Sequence, residues 1–153
     1  MSDIIGLDFK IRGYANHFAE LFESLPIEEY TWHVDCSENF YSHCGKVDLF
    51  LPNGVYSGSE FKQALFETPS YYIHLIRLLA VPNGIDFNVN QINTYDDYVN
   101  SPVEIAFLSG DSIVDLYIKS ASHLNRVYEL CKKRYASISL LTEANDTRTE
   151  FWV

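Results

Sequence analysis

With 153 residues, 47% of them hydrophobic and 15% aromatic, the chain is long enough to bury one substantial core and too apolar to be disordered. Its net charge of −10 repels phosphate backbones and anionic lipid, which argues against nucleic-acid and membrane partners. Three cysteines cannot close a disulfide framework, and the start "MSDIIGLDFK" has no basic stretch before an apolar one. A cytoplasmic protein with reduced thiols is the expectation.

No repeat, linker or low-complexity tract interrupts the chain, so residues 1–153 are expected to form a single domain. "IIGLDFKI" (4–11) predicts a strand with Ile5, Leu7, Phe9 and Ile11 on one face and Asp8 and Lys10 on the other. After Gly13, the spacing of Tyr14, Phe18, Leu21, Phe22 and Leu25 predicts a helix with one apolar stripe, stopped by Pro26. "EYTWHVDC" (29–36) alternates as a strand, with Tyr30, Trp32, Val34 and Cys36 inward. A connection over 37–45 then leads to its partner strand "KVDLFLP" (46–52).

Ser57, three residues before Glu60, has capping-box spacing and predicts a short helix with Phe61 and Leu65 inward. "YYIHLIRLLAV" (71–81) is apolar on both faces, as a central strand is. Thr94 and Asp97 repeat the capping spacing over one or two helical turns. "VEIAFLSGDSIVDLYIK" (103–119) predicts a hairpin turning at Gly110-Asp111. Leu124, Val127, Tyr128 and Cys131 then mark a helix whose last turn carries Lys132, Lys133 and Arg134 against the helix dipole. "YASISLLT" and "TRTEFWV" predict closing strands. The expected class is α+β: a mixed, mostly antiparallel sheet with three or four helices packed on it.

The densest set of soft ligands is "WHVDCSENFYSHC" (32–44), with His33, Cys36, His43 and Cys44. On a strand His33 and Cys36 point to opposite sides, and the spacing of a structural zinc site is missing, so neither a metal nor a cofactor is expected. No phosphate-binding glycine loop or nucleophile elbow marks a reaction. His74 and Arg77 lie within the most apolar strand, where the alternatives are a carboxylate partner or a pocket wall.

Two polar clusters are the candidate binding residues. Tyr95, Asp96, Asp97 and Tyr98 combine apolar area with negative charge. Near the end, Asn145 and Asp146 suit an Asx turn and Arg148 suits a carboxylate partner. Charge is uneven: 17 acidic and 5 basic residues fall in 1–115, against 4 and 6 in 116–153.

The stretches "GLDFKI", "YTWHV", "SYYIHLIRLLAVPNG", "INTYDDYVNS", "VEIAFLSGDSIVDLYIK" and "LTEANDTRTEFWV", in this order along the chain, resemble an uncharacterised domain-of-unknown-function family of small acidic proteins from Gram-positive bacteria. The resemblance implies a bacterial, cytosolic, single-domain protein and brings no reaction with it. The leading expectation is a non-catalytic interaction module for a basic protein partner. The alternative is a small-molecule-binding protein or minor enzyme with an aromatic-lined pocket that includes His74 and Arg77.

Overall fold

The computed structural model describes residues 4–153. Along the chain lie β1 (Ile4–Lys10), α1 (His17–Phe22), β2 (Tyr30–His43), β3 (Lys46–Leu49), β4 (Gly54–Tyr56), α2 (Gly58–Glu67), β5 (Tyr72–Pro82), α3 (Tyr95–Val99), β6 (Ile105–Gly110), β7 (Ile113–Ile118), α4 (Ala121–Arg134) and β8 (Ser139–Thr142). The strands pair antiparallel into one sheet, in the order β3-β2-β5-β6-β7-β1-β8, with β4 also on β2. The fold is α+β. No helix among the described residues is long and apolar enough to cross a membrane.

The sheet is covered on both faces, which is why β5 and β6 are apolar on both sides. On one face α1, α2 and α4 bury the larger core, where Trp32 stacks on Phe61 at 4.4 Å and Phe18 meets Phe107 edge-on at 5.0 Å. The other face is covered by residues 87–103 and by the C-terminal segment, whose Phe151 sits 4.7 Å from Tyr117. Each large apolar side chain so buried contributes about 1.5–3 kcal/mol before entropy.

Local chemistry explains several element boundaries. Ser57 and Glu60 form a reciprocal capping box on α2, and Thr94 and Asp97 form one on α3. The β6–β7 hairpin turns at Asp111-Ser112, one residue later than Gly110-Asp111. Both turn residues have positive φ, 52° and 65°, the backbone of a turn matched to strand twist. Gly6 lets β1 close on β7, since a Cβ there would stand 2.4 Å from the Leu116 carbonyl oxygen.

Other expectations are corrected. The region 37–45 is not a connection, because β2 runs on to His43. It does so through a bulge between Asp35 and Glu38, where Cys36 has φ 53°. The bulge breaks the inward alternation, so Cys36 is half-buried and outside the core that holds Tyr30, Trp32 and Val34. Tyr14 precedes α1 and is exposed, and Ile5 leaves the face of Leu7 and Phe9 because β1 bulges against β8 between Ile4 and Gly6. "TRTEFWV" is not a strand; Thr147–Val153 runs irregularly over the second face, held by side chains and by the Phe151 amide donating to the Asn93 carbonyl.

Candidate functional site

Asp8 and Asp115 are direct partners in the β1–β7 register, on the face opposite Leu7, Phe9, Val114 and Leu116. Like charges facing each other across a ladder are destabilising, so this pair needs a counter-charge or a proton. Arg148 supplies the counter-charge to one of them: its Nε donates to Asp115 Oδ2 at 2.6 Å. Its Nη1 donates to the carbonyl oxygens of Glu150 and Trp152, which fixes the guanidinium to the C-terminal segment.

Asp8 is pushed toward its protonated form. Burial first, then a hydrogen bond with Asp115 and the charge of Asp115, push its carboxyl up to about 7, while Arg148 pulls the other way. Asp146 adds a third carboxylate. It accepts from the Tyr117 hydroxyl at 2.7 Å and from its own chain at Arg148 N. The Asn145 side chain closes the turn that carries Asp146 by accepting from Thr142 N and donating to the Leu140 carbonyl.

These groups line an open cleft of about 530 Å³ over the β7-β1-β8 end of the sheet, walled by Ser139, Leu140, Leu141 and Thr147. A second depression of about 280 Å³ adjoins it across Asp146 and Arg148 and is lined by Ile5, Tyr95, Asp96 and Glu143. The two sequence clusters are therefore brought together in part. Tyr95, Asp96, Asn145, Asp146 and Arg148 border the paired depressions. Asp97 and Tyr98 do not.

Asp97 is used in the α3 cap, accepting from the amides of Asn93 and Thr94, which hold its carboxyl below the usual range. Tyr98 is buried among Tyr95, Tyr117 and Phe151, with its hydroxyl donating to the Glu104 carbonyl.

Sequence reasoning passed over Asp8 and Asp115. The signal was a single aspartate in each of two largely apolar strands, "IIGLDFKI" and "IVDLYI".

Arg77 is no pocket wall. It is fully buried and donates to the carbonyls of Phe151, Val89 and Ile92, with Asp35 at 3.4 Å. Its guanidinium lies 3.6 Å from the centre of the Trp152 ring, so it ties the second face together. His74 stands at the hairpin end of the sheet, 3.7 Å from Asp111 and 3.9 Å from Glu38. Among the described residues, no three His, Cys, Asp or Glu side chains group as metal ligands.

The fold and the cleft define an α+β protein with a carboxylate-rich groove formed where β1 and β7 meet the C-terminal segment. The chain belongs to a family described as protein of unknown function DUF2691, whose model matches residues 4–152. It is similar to "Uncharacterized protein YncE" of Bacillus subtilis (strain 168), 30% identical over 154 residues, covering 97% of this chain and 98% of the relative. No solved structure matches the chain.

Proposed function

We propose that this protein is a non-catalytic binding module for a basic partner, and that a lysine or arginine side chain of the partner enters the Asp8–Asp115–Asp146 cleft. The carrying observation is the imbalance of the site: three carboxyls converge there and Arg148 is committed to one of them. An incoming cation offsets the repulsion that the opposed pair generates. The net charge of −10 favours the approach of such a partner and accelerates association at low salt. Tyr95 and Asp96, at the adjoining depression, add apolar area and a further negative charge for a second contact.

The alternative is a small-molecule-binding protein or minor enzyme. It draws on the same pair, because a carboxyl raised to about 7 suits proton transfer. The aromatic pocket around His74 and Arg77 no longer supports it, since packing leaves Arg77 without exposure.

The test is calorimetric titration with a tetra-arginine amide at low salt. Saturable binding is expected, lost in Asp115→Asn and weakened in Asp96→Lys, each variant first shown folded by its thermal melt. It should fade between 0.1 and 1 M salt, as the Debye length falls from about 10 to about 3 Å. Glu28→Lys with Glu29→Lys, away from the cleft, is the control. If that pair alters binding as much as the cleft variants do, the attraction is general net charge and the site assignment fails.

A further inference from the structure

We propose that the cleft exchanges a proton for its cation: Asp8 gives up its hydrogen as the partner's ammonium or guanidinium enters, so binding tightens as pH rises. This rests on the reading of the groove as a cation site and adds its regulation.

Strand order sets the charges around Asp8. β1 lies between β7 and β8, so Asp8 faces Asp115 on one side and the uncharged Ser139 on the other. From the C-terminal segment come Asp146 and Arg148, and Tyr117 reaches the group only through Asp146. Arg148 is the cation of this set, and its Nε is spent on Asp115 while its Nη1 is spent on two backbone carbonyls. Asp115 thereby has its counter-charge, and a proton on Asp8 relieves the remaining repulsion of the opposed pair.

An entering cation and that proton are alternative answers to the same repulsion. When the cation arrives, the Asp8 O–H bond breaks and its proton passes to solvent. The ligand keeps all its own protons and becomes the counter-charge. The strands carrying the two aspartates are fixed by ladder pairing and by the apolar core beneath them, so the pair cannot separate to avoid the choice.

With the Asp8 carboxyl at about 7, linkage sets the size of the effect. Below that pH the cation must displace a bound proton, and above it the site is already empty of one. Affinity for tetra-arginine amide, whose charge is constant over the range, should rise roughly thirtyfold from pH 5.5 to 8.5. At pH 6, titrations in two buffers of different ionisation heat should report close to one proton released per peptide bound. Asp8→Asn, which keeps the shape of the protonated acid, should bind with an affinity independent of pH and release no proton.

Wild-type binding that is equally tight at both pH values, with no proton released, would overturn the exchange and leave the cation cleft standing. Absence of saturable binding even at pH 8.5 would overturn the cleft reading and the exchange with it.

Discussion

Asp8 and Asp115 stand opposite each other on β1 and β7, and only Asp115 has a guanidinium on it. A single proton thus completes the electrostatics of a groove that the C-terminal segment builds from outside the sheet.

Stability should carry the mark of that proton. The folded Asp8 carboxyl, raised to about 7, lies above its unfolded value near 4, so the folded chain holds a proton that the unfolded chain has lost. The contribution is fully present below about pH 4 and is lost as pH rises through about 7. Urea melts at pH 5 and pH 8 should therefore show Asp8→Asn gaining on the wild type as pH rises. A difference that does not move with pH would contradict the assignment.

Arg148→Gln should cost roughly 1.5–3 kcal/mol, the range for hydrogen bonds to charged groups, because Arg148 and Asp115 are both largely buried. Arg148 opposes the rise of the Asp8 carboxyl, so the variant should also move the Asp8 titration higher. A loss of stability without that movement would make Arg148 a packing residue only.

Arg77 is a fully buried polar anchor. Arg77→Met leaves the buried carbonyls of Phe151, Val89 and Ile92 without their donor and frees Trp152 from its stacking partner. A loss of roughly 3–5 kcal/mol is expected, the scale for breaking a buried charged network. Arg77→Lys should rescue little, because one ammonium cannot span carbonyls that a planar fork reaches. Deleting residues 151–153 should be strongly non-additive with Arg77→Met in chemical denaturation, since both remove the same contacts.

The cysteines should separate by reactivity. Cys36 is half-buried on a bulge with φ 53°, whereas Cys131 lies inside the helix-side core, where burial pushes its thiol up to about 12. Mass-spectrometric mapping after brief native alkylation should find Cys36 modified well before Cys131. The reverse order would mean that the β2 bulge is absent in solution.

Local chemistry was legible in the sequence. Ser57 with Glu60 and Thr94 with Asp97 marked their helices because a cap acts over three residues. Lys132, Lys133 and Arg134 marked the end of α4 because cations suit the last turn of a helix dipole. The 107-residue separation of Asp8 from Asp115 hid the cleft, since no local pattern states which strands pair or in what register. Alternation placed Asp8 off the face of Leu7 and Phe9 and could not add that the C-terminal segment covers the other face. "TRTEFWV" has the residue types of a strand, yet Arg77 takes the Phe151 carbonyl that a ladder would have used. Cys36 was misplaced because one extra residue in a bulge reverses a period of two.

Carbon-detected NMR of the aspartate carboxyls from pH 3 to 9 measures the Asp8 titration directly. Asp8 should follow a step near pH 7 in the folded protein. In Arg148→Gln that step should move higher still. If Asp8 titrates near pH 4 in the folded wild type, the opposed pair shares no proton, and the account of the cleft is contradicted.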